Sequence, residues 1–156
     1  MQQDSDRPSR GIFWAKVTGG YAIFTMVLQV TTYLAGAGSP AYFGGIHLAA
    51  TLVFLVASLW RTFYALHTGN RTILFLDSIY WIASLLLTLP AFLAAFGLMA
   101  QNSNLFYQWI LFPVVSQFFG FLPWMNEMSV LGLVVAFACL QLGILYCGAY
   151  RRKLIR

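Results

Sequence analysis

Charge is what this chain lacks most: of its 156 residues only 8% are Asp, Glu, Lys or Arg, while 60% are hydrophobic. A soluble domain normally gives about a quarter of its residues to charge, so this composition excludes a solvated globular surface and defines an integral membrane protein. Histidine and cysteine are just as scarce, at two each, beside four acidic residues. That inventory is too thin for a metal centre. Cys139 and Cys147 lie eight residues apart in one apolar run, about 12 Å along a helix axis, which is too far for a disulfide between them. They read as small packing residues. The charge that is present is lopsided, nine basic residues against four acidic for a net +5, and in a membrane protein such an excess reports orientation. No nucleic-acid partner is inferred from it.

What the chain has in abundance is long apolar runs. A helix needs roughly 20 predominantly apolar residues to cross a hydrocarbon core of about 30 Å. The sequence predicts spans at about 17–35, 41–62, 74–100 and 128–150, preceded by a mobile polar tail over residues 1–10 and closed by a basic segment at 151–156. The fold class is therefore an all-α membrane protein, a four-transmembrane-helix bundle forming one membrane domain over residues 11–150. The first run is read as a span rather than a cleavable leader, although Ala35-Gly36-Ala37 has the small residues of a cleavage site. Between the third and fourth spans, residues 105–124 carry eight aromatic residues with Pro113 in the middle. They are expected to form an interfacial or re-entrant segment rather than a fifth span.

The basic residues decide between those two counts. They cluster at Arg7, Arg10 and Lys16, at Arg61 and Arg71, and from Arg151 to Arg156, whereas residues 36–40 and 101–127 contain none. Four spans put every cluster on the side that Lys and Arg prefer, with both termini cytoplasmic. A fifth would drive the basic C-terminus out.

Few residues inside the spans can carry chemistry. His47, flanked by Gly44 and Gly45, has room beside it for a flat ring and is the candidate contact for haem, chlorophyll or quinone, since an ionisable group in a span is a functional candidate by default. Bis-histidine haem within one chain is excluded because His67 lies twenty residues further on, about 30 Å along the helix. Met99, Met125 or Met128 are geometrically possible second ligands. Asp77 is expected level with Arg61 on the neighbouring span, as a structural ion pair. Thr25, Gln29 and Thr32 share one face of the first span. Gly132, Ala136, Cys139, Gly143 and Cys147, spaced by three and four, give the last span a face of small side chains suited to close helix packing. The partner of that face is either the second span at Gly45 and Ala49 or another copy of this chain.

No catalytic constellation is present. The sequence therefore leads to a small non-catalytic accessory or structural subunit of a larger membrane complex, its partners being larger membrane subunits, further copies of itself and lipids. The alternative is a haem-, chlorophyll- or quinone-binding anchor for electron transfer through His47. A weaker one is an oligomeric channel or carrier built on the Thr25, Gln29 and Thr32 face.

Overall fold

The computed structural model describes residues 7–36, 39–98 and 105–154. Among these the protein is all-helical, with five α-helices and no strand. They are α1 (Arg7–Ala35), α2 (Gly45–Thr68), α3 (Arg71–Ala95), α4 (Leu105–Ser116) and α5 (Glu127–Leu154). Helices α2, α3 and α5 are long and apolar enough to cross a membrane. α1 has the length, 29 residues, but Gly19, Gly20, Gln29, Thr31 and Thr32 dilute its apolar run, and Lys16 stands within it. It starts at Arg7, inside the stretch expected as a polar tail; residues 1–6 and the last two residues lie outside the described ones.

Helix ends follow local chemistry more closely than they follow hydropathy. α3 stops at Ala95 rather than at residue 100 because Gly97 takes a left-handed conformation (φ 71°). The N–H of Leu98 then donates to the Leu93 carbonyl at 3.0 Å and that of Gly97 to Ala94 at 2.9 Å, the paired closure that glycine makes possible. Asn70 opens α3 by accepting the Ile73 N–H at 3.2 Å, and Asn126 opens α5 by accepting that of Ser129 at 2.8 Å. Such caps contribute about 1 kcal/mol each. Residues 40–42 form a 3-10 turn, so α2 begins at Gly45, four residues later than the apolar run suggests.

The four long helices run alternately up and down. Arg61 of α2 reaches Thr18 near the start of α1, while His47 reaches Thr32 near its end. Likewise Phe92 lies closest to Gly132 and Leu66 to Gly148, one pair at each end of α5. Each inward stripe repeats at three and four residues: Thr51, Phe54, Ser58, Thr62 and Ala65 on α2; Ile73, Asp77, Trp81, Ser84 and Thr88 on α3; Val130, Val134, Ala138, Gln141 and Leu145 on α5. This spacing keeps one seam facing a neighbour along left-handed helix packing. The stripes are notable for holding polar residues, whereas Ile46, Val56, Phe75 and Leu86 point outward, each more than 60% exposed. Polarity marks the inside here, because lipid satisfies an aliphatic surface but not a hydroxyl or amide.

The aromatic segment is packed into one end of this bundle. α4 continues past Pro113 to Ser116, whose hydroxyl donates to the Pro113 carbonyl at 2.9 Å. A 3-10 turn over Phe119–Phe121 follows and lies against α2. Residues 115–120 are all buried. Phe119 meets Phe43 and Phe112 edge-on and Tyr33 at a tilt, and Phe118 meets Phe54 and Phe137 edge-on, so one turn ties together α1, α2, α4 and α5. The approach depends on Gly120: a Cβ built there would stand 2.3 Å from the His47 carbonyl oxygen and 2.5 Å from Thr51 Oγ1. Gly120→Ala is expected to cost about 2 kcal/mol through forced displacement of the wedge, read as a lower melting temperature in detergent. Gly44→Ala, which meets open space, serves as the control.

Candidate functional site

The polar side chains of the stripes meet in two layers. The first lies at the end of the bundle that holds α4. Gln29, fully buried on α1, donates through Nε2 to the His47 carbonyl at 3.1 Å and to Thr51 Oγ1 at 3.2 Å. Thr51 passes its own hydrogen to the Gln117 carbonyl at 3.0 Å, and the Gln117 side chain accepts from Tyr80 at 2.9 Å. A donor relay thus runs from Gln29 through Thr51 to the Gln117 backbone, where linked donors strengthen one another in a low-dielectric interior, and the Gln117 side chain separately accepts from α3.

His47 stands at the edge of this layer with both ring nitrogens engaged. Nδ1 accepts the backbone N–H of Gly44 at 3.1 Å, so in the neutral ring the proton sits on Nε2. Nε2 lies 2.8 Å from Thr32 Oγ1, and Thr32 gives its hydrogen to the Leu28 carbonyl at 2.9 Å. The donors and acceptors are consistent only with Nε2–H donating to Thr32. The imidazole therefore does at the third residue of α2 what a glutamate does in a capping box, and at the same time ties α2 to α1. An axial ligand would have to free one of these ring nitrogens, both of which hold partners within the chain.

The second layer is nearer the α2–α3 turn. Arg61 Nη2 contacts Asp77 Oδ1, with the Asp77 side chain 2% exposed and that of Arg61 18%. Thr62, fully buried, has three acceptors in range: the Ser58 carbonyl at 3.1 Å, Asp77 Oδ2 at 3.3 Å and the Gln141 amide oxygen at 2.9 Å. A hydroxyl has one hydrogen to give. Turning the Gln141 amide so that its nitrogen faces Thr62 resolves the conflict: Gln141 donates to Thr62, and Thr62 donates to the carboxylate. The turn also relieves Gln141 Nε2, which otherwise is buried without a partner, and leaves the less demanding carbonyl oxygen in its place. The pair is then bound to α5 as well as to α2 and α3.

Arg61 and Asp77 are thus brought into contact. The Thr25, Gln29 and Thr32 face is turned into the chain: Thr25 and Gln29 are fully buried, Gln29 bonds to α2 and Thr32 is held by His47. The small-residue face of α5 is placed differently from one of its two expected partners. Gly45 has nothing within 4 Å of a built Cβ and Ala49 is exposed, so α2 does not cover it. Only Gly132 meets a neighbour, Phe92 at 3.2 Å; Ala136, Cys139, Gly143 and Cys147 are exposed. The opposite face wins the interior because Gln141 must be buried with a partner and the four residues around it, Val134, Ala138, Leu145 and Gly148, share its side of the helix. Thr51, Thr62, Tyr80 and Gln117 are site residues that sequence reasoning passed over. The signal was there for the threonines, seven residues before and four after Ser58 on one face of α2; nothing local announces Gln117.

These features define an all-helical membrane protein with a polar interior. No known protein family, characterised protein or solved structure matches the chain.

Two outcomes are expected. Asp77→Ala, which strands Arg61, should destabilise the protein by about 3 kcal/mol, while the double change Arg61→Met with Asp77→Leu recovers much of that loss; thermal unfolding of the three variants checks this. His47→Ala should cost about 1 kcal/mol as a lost cap and tie, and added haem should give the same weak, non-saturating Soret change with the variant as with the original chain.

Proposed function

We propose that the chain is a small non-catalytic subunit of a larger membrane assembly, crossing the membrane four times with both termini and the α2–α3 turn in the cytoplasm. The observation that carries this reading is the division of labour on α5. Its inner face is filled, while the outward face of Ala136, Cys139, Gly143 and Cys147 is built of side chains too small to be needed against lipid. Close backbone approach by another transmembrane helix is what such a face provides. The remaining polar side chains support it from the other direction: His47, Gln29, Thr51, Gln117, Tyr80, Thr62 and Asp77 are engaged in holding helices to one another.

The fourth crossing is α1, whose polar groups Gln29 and Thr32 have partners on α2 and so do not face lipid. With α1 across the membrane, Lys16, Arg61, Arg71 and the basic C-terminus all fall on one side, the side that basic residues favour. The wedge of α4 and the following turn then enters from the opposite side and returns to it, its backbone shielded by the bundle as irregular structure at membrane depth requires.

Purification in mild detergent from native membranes is expected to yield the chain with stoichiometric larger membrane subunits. Gly143→Leu should abolish that association and leave the melting temperature of the separated chain unchanged, since a Cβ at Gly143 meets nothing within 4 Å. Unaltered association in this variant would sink the reading.

A further inference from the structure

A crevice of about 210 Å³ opens between α1 and α3 along the flank of α2, beside the ion pair. Its polar lining comes from three helices: Thr18 and Tyr21 of α1, Ser58 and Arg61 of α2, Asp77 and Tyr80 of α3. Most of these groups are already committed. Tyr21 donates to the Ala50 carbonyl at 3.2 Å, Tyr80 donates to Gln117, and Arg61 Nη1 reaches Thr18 at 3.4 Å. Ser58 is different. It lines the crevice, and its contact with Thr62 is through the backbone carbonyl alone, which leaves the hydroxyl available to whatever enters. The guanidinium of Arg61 keeps unused N–H groups as well, and its Nε is buried with no hydrogen-bond partner among the described residues. A buried donor in that condition costs free energy until something accepts from it.

Charge and shape narrow what fits. Arg61 and Asp77 neutralise each other, so an entering ion would lose its water without meeting a net opposite charge. An uncharged head with acceptor oxygens meets the free donors without that penalty. On the other side of the α1–α2 contact runs an apolar groove of about 470 Å³ lined by Val17, Leu52, Val53, Val56 and Trp60. Thr18, Tyr21 and Ala57 border both spaces. A polar crevice next to an apolar channel is the shape of an amphiphile. In volume, a cavity of about 150 Å³ accommodates benzene, so this crevice takes one substituted ring or one glycerol ester unit.

We propose that the crevice binds the head of an uncharged membrane amphiphile through its carbonyl oxygens, which accept from Ser58 and Arg61, with the hydrocarbon tail lying on the α1–α2 groove. Isoprenoid quinones and diacylglycerols share this chemistry. The proposal stands apart from the assembly reading and fails or succeeds without it.

Native mass spectrometry of the full chain in detergent tests it, using decylubiquinone, dioctanoylglycerol and short-chain phosphatidylglycerol and phosphatidylethanolamine as probes. A one-to-one adduct is expected with a carbonyl ligand at concentrations where both phospholipids are shed. Adducts with decylubiquinone alone identify the head as a quinone; adducts with dioctanoylglycerol alone, or with both, identify it as the carbonyl unit itself. Gly19→Leu fills the crevice from α1, where a Cβ meets nothing within 4 Å, and should weaken the adduct at least tenfold at an unchanged melting temperature. Ser58→Ala removes one hydroxyl that holds nothing and should weaken it several-fold. Preferential retention of either phospholipid, no adduct with either carbonyl ligand, or adducts indifferent to both substitutions overturns the proposal.

Discussion

Arg61 and Asp77 meet where α2 and α3 cross, and around that contact the rest of the bundle has to be arranged. A carboxylate with 2% of its side chain exposed tolerates neither a misplaced helix nor a missing partner, since an unpaired buried charge costs several kcal/mol. Thr62 brings α2 to the second carboxylate oxygen, and Gln141 brings α5 to Thr62. Three helices are therefore registered against one another at a single level. Leucine or valine stripes alone would not do this in a membrane, because lipid tails solvate them as well as other helices do.

The same requirement operates at the other end with neutral groups. Gln29 donates to Thr51, and Thr51 and Tyr80 both donate to Gln117 in the aromatic wedge, so a segment without a complete helix of its own is held in the bundle. Gly120 permits the wedge to reach the α2 backbone, and the aromatic cluster around Phe118 and Phe119 fills the space between the helix ends. His47 completes this layer by capping α2 and binding α1. A residue with the chemistry of a metal ligand is here engaged at both ring nitrogens, one by the N-terminus of α2 and the other by α1.

Inward-facing polarity also explains where surface features are left over. With α5 turned so that Gln141 faces its partners, the small residues on the other side of that helix are necessarily outside. With Arg61 drawn toward Asp77, α1 and α3 stand apart on the flank of α2 and leave the crevice at Ser58. Both features follow from satisfying buried hydrogen bonds first and filling volume second.

Much of this was legible in the residues. Hydropathy and length gave the membrane class and the approximate runs of α2, α3 and α5, and Arg61, seven residues before the end of α2, and Asp77, six after the start of α3, stand at similar distances from the turn they share. Helix ends were less legible: Gly97 ended α3 early and His47 with Gly44 delayed α2, because single hydrogen bonds decide a terminus while hydropathy averages over many residues. What the sequence by itself determined is that the chain is helical, lipid-facing and poor in groups for chemistry, since composition and periodicity act within one helix and need no neighbour. Only the tertiary structure decided that His47 is a cap, that the α5 small-residue face looks outward, that Gln117 joins α2 to α3 and that Ser58 faces a crevice. Those roles depend on which groups meet across helices, and a buried donor chooses its partner by distance in space rather than by spacing along the chain.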